Sequence, residues 1–163
     1  VKEKTETNKV KKDKEEIFAP MEGQAVELEE VPDPTFAQKI MGEGIAIKPE
    51  SGEVVAPVDA KVVNLLDTKH AVGLKTEAGV EILIHVGLDT VQMGGEGFEA
   101  FVEQGETVEV GDKLLEVDLD LVAKKAEATI TPMVITNTDD FAEINVLTKG
   151  QVDCGDKLLE VKI

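Results

Sequence analysis

His70 and His85 are the only two histidines in the chain, and an imidazole pair can share an anion, a water or a metal ion between its rings. His85 stands in Glu81-Ile82-Leu83-Ile84-His85-Val86-Gly87-Leu88-Asp89, and His70 in Leu66-Asp67-Thr68-Lys69-His70-Ala71-Val72. Between them Lys75-Thr76-Glu77-Ala78-Gly79 reads as a short polar turn. A turn centred between Glu77 and Ala78 sets His70 directly opposite His85, where facing Cβ atoms lie about 4.5–5.5 Å apart. Thr68, two residues before His70, projects to the same side of that strand and places a hydroxyl beside the pair. Two histidines are too few for a zinc centre, which takes three or four protein ligands. Cys154 is remote in sequence and Asp89 falls on the opposite parity, so no metal site is expected. The pair is left either as a chemical site or as two ordinary residues of a surface and a core.

The elements that must position the pair are strands. Val80, Ile82, Ile84, Val86 and Leu88 form one continuous apolar set, whereas Glu81, Leu83, His85 and Gly87 form the other. Period-two alternation with β-branched residues predicts a half-buried strand with His85 facing away from the main core. Leu66, Thr68, His70, Val72 and Leu74 share a parity on the preceding strand. A one-residue slip of the turn would undo their facing arrangement.

The wider chain agrees with an all-β reading. It has 163 residues, no tryptophan, no tyrosine and 3% aromatic residues, so its core is built from Val, Ile and Leu. Short β-runs such as Gly44–Ile47, Gly52–Ala56, Lys61–Leu65 and Thr107–Val110 are punctuated by glycine turns, which predicts a sandwich or barrel. Two short helices are expected, one over Pro34–Met41 starting near Asp33 and one over Asp118–Ala126 capped by Asp118 or Asp120. Gly-Asp-Lys-Leu-Leu-Glu-Val occurs at 111–117 and again at 155–161, and Ala19-Pro20 is echoed by Ala56-Pro57. These echoes point to an internally duplicated β unit; two copies do not make a solenoid. Val1 to Glu16 carries six lysines and five acids and reads as a charged, disordered leader or linker, leaving 17–163 as one domain. The chain opens on Val rather than Met, as a processed chain or a domain cut from a longer one does.

Charge narrows the partners. The net charge is −17, and all 17 basic residues are lysine. Without arginine the chain has no bidentate guanidinium clamp for phosphate. Phosphate chemistry would have to rely on histidine, hydroxyls, backbone N–H groups or a partner's arginine. The acidity argues against nucleic acid and suits either solubility or a basic protein partner. A single cysteine fits a reducing compartment, and no apolar run is long enough to insert in a membrane.

Six stretches, Val31-Pro32-Asp33, Met41–Pro49, Val55–Asp59, Thr68-Lys69-His70, Ile84–Val91 and Gly95–Phe98, together resemble the glucose-type enzyme IIA of the bacterial phosphoenolpyruvate-dependent sugar phosphotransferase system. The resemblance runs from about Ile17 to the C-terminus. It implies an antiparallel β-sandwich and a cytoplasmic monomer without cofactor that relays phosphate. His85 would be phosphorylated by the histidine phosphocarrier protein and discharged to a cysteine of the IIB domain of a sugar permease. His70 would hold the phosphoryl oxygens, Thr68 would orient His70, and the Gly87 carbonyl would fix the tautomer of His85. By position, Phe36, Ile40, Ile45, Leu66 and Leu83 are candidates for the apolar docking surface, with Asp33 and Asp89 flanking the histidines. Leu66 and Leu83 stand where several relatives carry phenylalanine. The other reading of the same face is a phosphorylation-dependent regulatory module that docks on permeases or kinases of sugar metabolism. A lipoyl- or biotinyl-type carrier, suggested by the duplicated unit, lacks the modifiable lysine in a tight exposed turn.

Overall fold

The computed structural model describes residues 13–163. In chain order the strands are β1 (Lys14–Phe18), β2 (Gly23–Val26), β3 (Glu43–Pro49), β4 (Glu53–Val55), β5 (Ala60–Leu65), β6 (Ala71–Lys75), β7 (Glu81–His85), β8 (Phe98–Ala100), β9 (Thr107–Val108), β10 (Lys113–Val117), β11 (Thr131–Ile135), β12 (Glu143–Val146), β13 (Gly150–Val152) and β14 (Lys157–Lys162). The helices are α1 (Pro34–Ala37) and α2 (Leu119–Lys125). All strand pairs are antiparallel, in one eight-stranded sheet ordered β13-β2-β3-β11-β7-β6-β5-β9 and two three-stranded sheets, β1-β14-β12 and β4-β10-β8.

The sandwich is duplicated, and its topology shows this more fully than the repeated heptapeptide. The large sheet reads the same from both edges if β13, β2, β3 and β11 are matched to β9, β5, β6 and β7. The same matching turns β1-β14-β12 into β4-β10-β8. Both copies of the repeat end a turn in the same way: Asp112 Oδ2 accepts from Glu109 N at 2.9 Å, and Asp156 Oδ2 accepts from Asp153 N at 2.8 Å. The two Ala-Pro echoes meet those turns, since Ala56 N donates to Asp112 O and Ala19 N to Asp156 O, each at 2.8 Å. Phe18 N donates to Pro57 O at 2.8 Å and Val55 N to Pro20 O at 2.9 Å, so the two halves exchange equivalent bonds across a local twofold.

The main core lies between the inner face of the large sheet and the two small sheets. Ile45, Ile47, Val72, Leu74, Ile82, Ile84 and Met133 pack from one side, and Ile17, Leu114, Leu115, Leu158, Leu159 and Val161 from the other. Period-two geometry sends alternate residues to the opposite face. There a second, smaller cluster forms: Ala46 of β3, Val134 of β11, Leu88 and Ile130 lie under Leu28, Val31 and Phe36 from the segment that carries α1.

Three expectations change here. Lys14–Glu16, read as part of the leader, are strand: Glu15 pairs with Val161 and Glu16 with Glu160. Backbone pairing needs no apolar side chain, and Lys14 and Glu16 meet Glu160 and Lys157 across the ladder. The rest of the leader reading, residues 1–12, lies outside the described residues. Ile45, read as a docking residue, is 0% exposed in the main core. The β6–β7 register is also one residue away from the expected one. Ala71, not His70, is paired with His85, and Lys75 with Glu81. The loop spans Glu77-Ala78-Gly79, closed by Thr76 N donating to Val80 O at 2.9 Å, with Gly79 left-handed at φ 95°. That extra left-handed residue is a common hairpin solution. It lets Val72 and Leu74 pair with Ile84 and Ile82 and enter the core, so burial selects the register.

Candidate functional site

With that register, an uninterrupted β6 would carry His70 to the core side, away from His85. The chain avoids this by leaving strand geometry. Lys69 is left-handed (φ 59°) and its N–H donates to Leu66 O at 2.9 Å, so residues 66–69 form a turn that feeds His70 onto the outer face. His70 O accepts from Val86 N at 2.7 Å and ties that turn to the end of β7. The two imidazoles meet edge to face, with centroids 5.0 Å apart and planes at 80°.

Each ring is oriented through Nδ1. His85 Nδ1 lies 2.8 Å from Gly87 O, and a carbonyl can only accept, so Nδ1 carries the proton and Nε2 keeps its lone pair. His70 Nδ1 lies 2.6 Å from Thr68 Oγ1. With the hydroxyl donating, the neutral His70 ring carries its proton on Nε2 and can donate there. The pair then presents one nucleophilic nitrogen and one donor. Phe36, from α1, leans on His85 with ring centroids 5.4 Å apart, and α1 itself starts at Asp33, whose side chain accepts from Thr35 N at 3.0 Å.

Electrostatics keep both rings uncharged. Burial lowers the pKa of His70, and the neighbouring His85 lowers it further. Burial also lowers that of His85, against the Gly87 hydrogen bond and the charge of Asp33, which raise it. Neutral imidazoles at pH 7 are what nucleophilic attack requires.

The predicted site residues are therefore placed as follows. His85, His70, Thr68 and Gly87 come together. Phe36 is 4% exposed and touches the His85 ring, so it supports the site from below and is not part of an open surface. Leu83 is half-buried against the second cluster. Leu66 (40% exposed) and Ile40 (69% exposed) are open to solvent. Asp33 is the carboxylate whose charge acts on His85, whereas exposed Asp89 accepts from Gln92 Nε2 at 2.6 Å. Sequence reasoning missed Thr90, fully buried with its hydroxyl donating to Val86 O at 2.7 Å. Its signal was the four-residue spacing from a backbone carbonyl, at which Ser and Thr bond back to the chain. Nothing local signals Ala128, which pairs with Leu88 in an isolated bridge.

The fold is thus a duplicated antiparallel sandwich that sets two imidazoles ring to ring, with centroids 5.0 Å apart. The family described as phosphoenolpyruvate-dependent sugar phosphotransferase system, EIIA 1, matches residues 15–141. The glucose-specific EIIA component of Bacillus cereus is 57% identical over 148 residues, covering 88% of this chain and 90% of that protein. The glucoside-specific EIICBA component of Staphylococcus carnosus is 52% identical over 145 residues, 89% of this chain but 21% of that longer protein. In structure the chain resembles the glucose permease IIA of Mycoplasma capricolum, with a TM-score of 0.86 and 40% identity over 91% of this chain and 96% of that one. The chain belongs to the EIIA family of the sugar phosphotransferase system, whose members are phosphotransferase components that carry a phosphoryl group in sugar transport. Among the described residues no helix is long and apolar enough to cross a membrane.

Proposed function

We propose that His85 Nε2 is the atom that carries the phosphoryl group, with a phosphohistidine of the histidine phosphocarrier protein as donor and a cysteine of a permease IIB domain as acceptor. The observation that carries this is the Nδ1–Gly87 O hydrogen bond of 2.8 Å, which commits one nitrogen of His85 and leaves the other free. The Nε2 lone pair attacks phosphorus in line, the donor's N–P bond breaks, and the donor imidazole leaves with the electron pair. In the second step a thiolate attacks the same phosphorus and His85 is returned with its lone pair. Phosphoryl transfer asks for alignment and for stabilisation of the equatorial oxygens. His70 Nε2–H supplies the second, held by Thr68. No base is needed, because Nε2 of His85 is already unprotonated. The exposed apolar residues Leu66 and Ile40, set in an acidic surface, suit docking of basic partners, and the relay operates in the cytoplasm with those partners. Sugar choice lies with the permease.

The roles separate experimentally. His70→Gln retains phosphorylation at His85, and discharge to a IIB domain slows about a hundredfold, the usual scale for losing one donor to a developing charge. Discharge at the wild-type rate would remove His70 from the reaction.

A further inference from the structure

The carbonyl on which the chemistry of His85 depends belongs to a glycine. Gly87 is left-handed at φ 72°, in a region that glycine shares evenly with its mirror image, so its flanking peptides are free to rotate unless something holds them. Peptide 87–88, which contains the carbonyl, is held on one side: Leu88 N donates to Ala128 O at 2.9 Å. Among the described residues, peptide 86–87 is held through its carbonyl, which accepts from Thr90 Oγ1 at 2.7 Å. Thr90 also fills the space against Gly87. A Cβ built on that glycine would stand 2.8 Å from Thr90 Cγ2 and 2.8 Å from Ala128 O. Thr90 is 0% exposed, and burying its hydroxyl is costly unless it is hydrogen-bonded, as it is here to Val86 O.

We propose that Thr90 is a positioning residue for phosphoryl transfer: its hydroxyl pins the Val86 carbonyl, so that the Gly87 carbonyl stays aimed at His85 Nδ1 and Nε2 stays unprotonated. This rests on His85 as the phosphorylated residue, and it adds a third layer to the site, from hydroxyl to peptide to imidazole. Without the pin, the two neutral tautomers of His85 become closer in energy, and a fraction of the rings present a protonated Nε2 that cannot attack. Asp33, whose charge raises the pKa of His85, and His70, in ring contact with it, are held by other partners, Thr35 N and Thr68 Oγ1.

The test compares Thr90→Ser, which keeps the hydroxyl, with Thr90→Ala and Thr90→Val, which remove it. Ring-nitrogen NMR reports the tautomer of His85 and its titration midpoint without any phosphoryl chemistry. Wild type and Thr90→Ser are expected to show His85 protonated at Nδ1 alone. Thr90→Ala and Thr90→Val are expected to show mixed tautomers and a midpoint displaced downward, as the Gly87 bond that supports the cation weakens. Either of the two that folds is sufficient. Phosphorylation by the phosphocarrier protein should slow about tenfold in the same variants, the scale of losing an outer hydrogen-bond partner, with an unchanged KM for the donor. A wild-type tautomer and midpoint in Thr90→Ala or Thr90→Val would overturn the proposal, as would a Thr90→Ser shift equal to that of Thr90→Ala. Wild-type protein that accepts phosphate elsewhere than His85 would instead overturn the underlying reading, with the NMR result still standing.

Discussion

Two histidines with nothing unusual in their side chains acquire their chemistry here from what their second nitrogens touch. A carbonyl on one Nδ1 and a hydroxyl on the other give the same residue type two different roles in the proposed relay, attacking group and donor. Burial keeps both neutral, and this has a consequence for folding. The folded pKa of each is below its ordinary value, so between the two values the unfolded chain binds more protons than the native one. Stability from this source is fully present above the unfolded pKa near 6.5 and is lost as pH falls toward the folded values. Urea unfolding of wild type should therefore weaken between pH 7.5 and 5 by more than that of the double variant His70→Gln/His85→Gln. Parallel pH profiles would contradict the burial argument.

At the scale of elements, the repeated turns test the duplication. Asp112 and Asp156 each cap an equivalent exposed turn with one bond to the backbone, so Asp112→Ala and Asp156→Ala should each cost about 1 kcal/mol in chemical denaturation, equal within error. Unequal costs would mean that the identical letters serve different ends. The elements also show what a sequence can convey. Both helices were legible from their caps: Asp33 accepts from Thr35 N and Asp118 from Leu121 N, as local hydrogen bonding dictates. α1 stops at Ala37, short of Met41, because Lys39 turns left-handed. The alternation of β7 was legible because burial enforces it. The register of β6 against β7 was not, because a three-residue loop and a two-residue loop look alike when polar residues and a glycine fill both. The facing of the histidines was predicted for a reason the structure does not support. They meet because residues 66–69 turn, a long-range adjustment that no local pattern announces. Ile45 looked available because β3 is buried on both faces, where alternation no longer marks the outside.

The whole molecule is one half inserted in the other: β4 to β10 form one half, and β1 to β3 with β11 to β14 form the matching half around it. Chemistry breaks this symmetry. β7 ends at His85, with Gly87 two residues beyond, whereas its counterpart β11 ends at Ile135, so only one end of the central strand pair carries an imidazole. The acidic surface, −17 overall and without arginine, leaves the charge of an incoming phosphoryl group to be met by neutral donors and by the partner. Its exposed ion pairs, such as Lys39 with Glu29 and Glu43 or Lys149 with Glu27, contribute little to stability. In the proposed relay, the fold holds one imidazole nitrogen free beside a donor. The most direct test is intact mass after incubation with phosphoenolpyruvate, enzyme I and the histidine phosphocarrier protein. A relay through His85 gains a single acid-labile phosphoryl group, absent in His85→Ala; no gain by folded protein with active upstream components, or a gain that survives His85→Ala, would rule that relay out.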